Sequence, residues 1–215
     1  MCRLFPHDIV NPAAGVARLS RQQSTCCGEC GIIDLPVSTP RNVMKGKITP
    51  TVREVKLDAD DVIVSKTDLK GRITYANRIF MQIANYSEKE LLNVQHNIVR
   101  HPDMPRGAFK LLWDTLKAEK EFFGYVKNMT SSGDFYWVFA NVTPDRDARG
   151  NVVGYFSVRR KPKPSAIATL ENIYKEMLDV EQRAGPANAP DASIAHVVAK
   201  LKSLGTTYDR FILSL

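Results

Sequence analysis

Asn97, Arg100, His101 and Asp103 fall within seven positions of one another, in a stretch reading NIVRHPDMP that Pro102 and Pro105 stiffen. A guanidinium stays charged, an imidazole titrates near neutrality, and a carboxylate accepts hydrogen bonds. Such a set is costly in a core and wasteful on a random loop, so it invites a ligand reading. The same nine residues also make a rigid turn into the next helix, with Arg100 in solvent. Taken alone, they favour the turn.

Other chemistry is sparse. No nucleophile–base pair is set by spacing and no kinase, cyclase or phosphodiesterase motif occurs, so no enzyme is expected. The four cysteines, Cys2, Cys26, Cys27 and Cys30, all lie in the first 30 residues. Cys27 and Cys30 form a C-x-x-C pair, but only His7 stands nearby as a further metal ligand, which makes a zinc site a weak reading. Residues 1–43 show little periodicity and several turn formers. They are expected to be a disordered extension, with translation starting at Met44. The chain has 215 residues, 44% hydrophobic and 25% charged, the composition of a globular protein. It shows no membrane span and no signal peptide, so a cytoplasmic location is expected. The net charge of +7 comes without a nucleic-acid module, so no nucleic-acid partner is expected. The basic group Arg159, Arg160, Lys161 and Lys163 ends a strand and is expected to be solvated.

The elements that must position the polar cluster follow from punctuation and period. Residues 61–66 and 72–76 are β-prone and flank the turn ending at Gly71, a hairpin signal. Asn77 then caps a helix carrying Ile79, Phe80, Ile83 and Ala84. Ser87 and Glu90 form a capping box ahead of a short helix. After Pro105, Phe109, Leu112, Trp113 and Leu116 recur at helical spacing, a stripe that more often builds core than binds ligand. Three strands follow, at 122–130, 135–143 and 152–160. Phe135 to Phe139 carry bulk on both faces, so that strand is expected to be covered on both sides. Two helical stripes close the chain on either side of a linker at 185–190. The order is α+β, with an antiparallel five-stranded sheet, short helices on one face, and C-terminal helices.

That order resembles a PAS domain over residues 60–161. The stretches TDLKGRITYANRIF, QHNIVRHPDMPRGAF with LWDTLK, and GYVKNMTSSGDFYWV are similar to the FAD-binding PAS sensor of bacterial aerotaxis receptors. The likeness covers about half the chain and continues weakly into IATLENIYKEM. It divides the chain into the extension 1–43, a cap segment 44–59, the sensor 60–161, and a helical extension 162–215. It implies noncovalent FAD and a redox or oxygen sensor that signals through a homodimer interface or a separate protein partner. The residues it implicates fall on Asn77, Arg100, His101, Asp103, Phe109 and Asn128. Arg100 suits a pyrophosphate, His101 a phosphate or ribose, Asp103 a ribose hydroxyl, and Asn128 the isoalloxazine edge. Phe109 and Trp137 would add apolar surface. Phe122 stands where the family commonly has Trp. No cysteine follows Cys30, which argues against covalent-adduct photochemistry. The alternatives are a haem gas sensor ligated by His96 or His101, and a ligand-free interaction module.

Overall fold

The computed structural model describes residues 48–215. The expectations for residues 1–43, their cysteines and the start at Met44 lie outside the described residues.

β1 (Ile63–Asp68) and β2 (Ile73–Ala76) make the expected hairpin. Gly71 turns it at φ 76°, a conformation that favours glycine, and Asp68 Oδ1 accepts from the amides of Lys70 and Arg72 at 2.8 Å each. Asn77 caps α1 (Arg78–Ala84). Its Oδ1 takes the amides of Phe80 and Val64 at 3.0 Å, and its Nδ2 donates to the Val62 carbonyl at 2.7 Å. One amide side chain thus ties the helix start to β1. The Ser87 amide donates to Glu90 Oε2 at 3.0 Å, closing the box that opens α2 (Glu88–Leu91). A single 3₁₀ turn at His96–Val99 leads to α3 (Arg106–Lys117).

β3 (Phe122–Met129), β4 (Phe135–Arg146) and β5 (Val152–Arg160) complete one antiparallel sheet in the order β2-β1-β5-β4-β3. Register decides the faces. Asn128 pairs with Tyr136, Val126 with Val138, and Ala140 with Arg159, and these point toward α1–α3. The alternate set, Tyr125, Trp137 and Phe139, points the other way into a second apolar core. β4 is therefore covered on both faces, as its run of bulky residues implies.

The second core is built by α4 (Pro164–Ser203) and α5 (Tyr208–Ser214). α4 reverses at Gly185, φ 74°, so its two arms lie antiparallel. Across the arms Glu176 bonds Lys200 at 2.6 Å, and Ser193 donates to Glu181 at 2.8 Å. The expected linker at 185–190 thus shrinks to one residue. Pro186 already belongs to the second arm, because proline is tolerated in a helix's first turn, where its missing N–H is no loss.

The C-terminal helices, with Met104 from the turn before α3, also close the free edge of β3. Tyr174 donates its hydroxyl to the Tyr125 carbonyl at 2.6 Å, Tyr208 donates to the Phe123 carbonyl at 3.1 Å, and Met104 Sδ accepts from the Lys127 amide at 3.3 Å. Side chains take the place of a sixth strand. Tyr174→Phe leaves a buried carbonyl without its donor, and is expected to cost about 1–2 kcal/mol, read as a lower midpoint in urea with unchanged slope.

Candidate functional site

A cavity of about 260 Å³ lies between the inner face of the sheet, α3 and the segment around His96. Its apolar side is the α3 stripe: Phe109, Leu112, Trp113 and Leu116 all line it. The stripe packs into the apolar core, as expected, and also forms the wall of a void. Its polar side carries Ser65, His96, Arg100, Asn128 and Arg159. Among the described residues, no carboxylate lines it.

Arg159 is the deepest of these groups, with 2% of its surface exposed. Its Nη2 donates to Ser65 Oγ and its guanidinium lies 4.6 Å from the centre of the Phe80 ring. Nε and Nη1 have no hydrogen-bond partner among the described residues. Burial pulls its pKa down to about 10, so it is charged at neutral pH. The expectation that the 159–163 group is solvated fails at this residue. Arg159 shares the inward face of β5 with Tyr155 and Ser157, whereas exposed Arg160 faces outward.

Ser65 Oγ passes the arrangement on to His96, whose Nε2 stands 3.2 Å away. The Ser65 hydroxyl accepts from Arg159 and shares one hydrogen bond with Nε2, as donor to one His96 tautomer or acceptor from the other. The ring stacks on Phe80 with centroids 5.7 Å apart. Burial first, and then the Arg159 charge, push the His96 pKa down to about 3. It is a neutral imidazole.

Arg100 is half-buried, with its guanidinium 4.5 Å from the Phe109 ring centre and Nη2 donating to the Met104 carbonyl at 2.9 Å. Burial lowers its pKa, and the Glu181 carboxylate opposes that fall. Asn128 is buried on β3, bridged through its backbone to Arg100. Beside it, burial raises the Tyr136 phenol, which stays protonated.

Of the seven residues expected at the site, the six the resemblance implicates and Trp137, the structure brings Arg100, Phe109 and Asn128 to the cavity wall. It places the other four elsewhere. Asn77 spends its side chain on the α1 cap. His101 is 2% exposed, and its Nδ1 accepts from the Asp103 amide at 3.1 Å. Burial and then Lys127 lower its pKa, with Asp103 opposing. Asp103, its side chain 60% exposed, pairs with Lys127 at 2.7 Å and so pins the turn to β3. Trp137 lies on the opposite face of the sheet, stacked on Tyr174 with centroids 6.2 Å apart. Once Asn128 and its register partner Tyr136 face the cavity, strand alternation turns Trp137 away.

Comparison with known proteins decides the family. The PAS fold family matches residues 73–159. The aerotaxis receptor of Escherichia coli (strain K12) is 42% identical over 127 residues, 59% of this chain and 25% of that protein. Residues 73–159 are a PAS domain. The domain is homologous to that of the aerotaxis receptor, a PAS-fold signalling domain. The nitrogen fixation regulatory protein of Klebsiella pneumoniae is 30% identical over 99 residues, 46% of this chain and 20% of that protein. The chain spans a quarter or less of the length of these curated relatives. The dark structure of the blue-light photoreceptor Aureochrome1 LOV is 22% identical, with a TM-score of 0.46 over 52% of this chain and 82% of that one. Among the described residues, no helix is long and apolar enough to cross a membrane, and no cluster of three or more His, Cys, Asp or Glu could hold a metal ion.

Arg159 is the cavity group that the sequence reading missed. Its signal is the alternation of VVGYFSVRR, which sets consecutive arginines on opposite faces of one strand, so only one of them can be solvated if the other face is covered.

Proposed function

We propose that the cavity takes the ring of a noncovalently held FAD and that the protein is a cytoplasmic redox or oxygen sensor of the aerotaxis type. The observation that carries this reading is Arg159: a buried cation with two N–H groups unpartnered among the described residues, at a cavity wall that holds no carboxylate. Leaving such donors unmatched costs about 1–3 kcal/mol or more, and a ligand oxygen that accepts from them removes the cost. About 260 Å³ lies just under the roughly 300–1,000 Å³ of small-molecule sites, the scale of a ring system rather than a whole dinucleotide.

The residues present fit that group. Phe109, Leu112, Trp113 and Val126 offer apolar surface to a planar ring, and Asn128 offers a donor and an acceptor to its edge. Arg100, near the polar end of α3, suits phosphate oxygens. FAD, when bound, supplies reversible electron uptake coupled to a proton. The protein's own part is electrostatic: Arg159 and Arg100 favour added negative charge, and neutral His96 at Ser65 does not compete with them. A change in what Asn128 bonds would pass from β3 across to Tyr136 and Trp137 on β4, and so to the C-terminal helices. From there the signal would leave through a homodimer interface or a separate protein partner, with sensor, cap and extension divided at 60–161, 44–59 and 162–215.

His96 keeps haem as the second reading, since it lines the cavity. Against haem stands its Nε2, already held by Ser65 at 3.2 Å. The visible spectrum of the purified chain, followed by acid release of any chromophore, tests both. Released FAD with a two-banded blue spectrum is the expected result. A Soret band would replace flavin with haem, and a colourless chain that refuses added FAD would leave an interaction module.

A further inference from the structure

α3, which supplies the apolar wall of the cavity, has no side-chain cap of its own; Pro105 stands at its N-cap position. The four leading N–H groups of a helix lack partners inside it. Here a residue of the C-terminal hairpin supplies acceptors. Glu181, nearly buried in the first arm of α4, accepts the Arg106 amide on Oε2 at 3.0 Å and the Gly107 amide on Oε1 at 2.8 Å. Ser193, from the second arm, donates to the same Oε1 at 2.8 Å. One carboxylate therefore joins both arms of the hairpin to the start of α3.

The contact is built to be close. A Cβ on Gly107 would stand 2.2 Å from Ser193 Oγ and 3.0 Å from the Pro190 carbonyl, so only glycine lets the arm approach. Arg106 Nη1 donates at 2.8 Å to the Pro186 carbonyl, whose helical partner is missing because position 190 is proline. Two turns of sequence thus carry three devices that serve one junction. The wall lies directly beyond it: Phe109 is two residues after Gly107 and carries Arg100 against its ring at 4.5 Å.

We propose that Glu181 is a positioning residue of the cavity: by capping α3 from the C-terminal hairpin, it couples ligand affinity to docking of that hairpin. Coupling of this kind is reciprocal, so a ligand that orders the wall also holds the hairpin down, and release of the hairpin loosens the wall. The inference rests on the flavin reading for the choice of ligand. The hairpin is then the element that reports the state of the cavity.

The test titrates FAD into the full chain and follows amide hydrogen exchange with and without it. It compares the wild type with Glu181→Gln, which keeps the shape and drops the charge. A second variant, Gly107→Ala, wedges the junction while improving intrinsic helix propensity. Unchanged exchange in β4 and β5 shows that each variant is folded. The expected result is that both variants need about tenfold more FAD for half-saturation, the equivalent of one charge-assisted hydrogen bond. FAD is also expected to slow exchange at 164–203 in the wild type and to do so less in the variants. Wild-type affinity in both variants, or hairpin exchange indifferent to FAD, overturns the coupling and leaves the flavin reading standing. A wild-type chain that does not bind FAD overturns the flavin reading, and the coupling with it.

Discussion

Arg159→Met is expected to make the ligand-free protein more stable and to remove its flavin. The two effects have one cause. Arg159 is a buried charge whose hydrogen-bond and ring partners among the described residues are Ser65 Oγ and Phe80, and burial already pulls its pKa down to about 10. Replacing a poorly compensated buried charge by an apolar side chain of similar length commonly gains about 1–4 kcal/mol. The lost cation–π contact with Phe80 takes back about 1–2 kcal/mol of that. The net expectation is a rise of about 1 kcal/mol in the free energy of unfolding of the apo protein. The flavin, in contrast, loses two charge-assisted donors worth about 1.5–3 kcal/mol each, so affinity is expected to fall by a hundredfold or more. Urea unfolding of apo protein and FAD titration of the same preparation measure both numbers. A variant that is less stable and still holds FAD would show that Arg159 serves the fold, not a ligand.

Acidification supplies the second large effect. The folded protein keeps His96 neutral down to about pH 3, because burial and the Arg159 charge oppose its protonation. In the unfolded chain the same imidazole takes its proton near pH 6.5. Between those values the unfolded state binds more protons, so its free energy falls relative to the folded state as pH falls. His96's contribution is thus complete above about pH 6.5 and lost progressively toward pH 3, at up to about 1.4 kcal/mol per pH unit. His101, also depressed, adds to the slope in the same sense. Urea midpoints at pH 7, 6 and 5 read this slope largely before depressed carboxylates such as Asp134 begin to protonate in the unfolded chain, and the pH 4.5 point adds their share. His96→Gln is expected to flatten most of the slope, and Arg159→Met to shift its onset to lower stability loss, since one of the two causes is gone. A wild-type profile flat from pH 6.5 to 4.5 would rule out a neutral buried His96.

Both effects turn on contacts between residues far apart in sequence: Ser65 on β1, His96 on the 3₁₀ turn, and Arg159 at the end of β5. None of the three carries a local signal for the others. His96 was legible as a ring that could meet a cofactor. Arg159 was legible only as one of four basic residues within five positions. Trp137 failed in the opposite way: an aromatic next to the Asn128 hairpin invites a stacking role, and it is Tyr174 from α4 that it stacks on.

The sequence by itself determined the order and type of the elements, because those depend on neighbours within a turn or two. Asn77 and Ser87 mark helix starts through their own side chains, Gly71 marks a turn through its φ, and the spacing of Phe109 to Leu116 marks one helix face. It also set which residues of a strand share a side. Which side is lined by solvent, by a packed helix or by a void was decided only by the tertiary structure. Facing elements settle that: α3 stands off the sheet far enough to leave a cavity, while α4 and α5 close on the other face without one of that size. The same alternation that makes Arg160 a surface residue therefore makes Arg159 a buried cation at a cavity wall, because burial belongs to the space a side chain enters and not to the side chain.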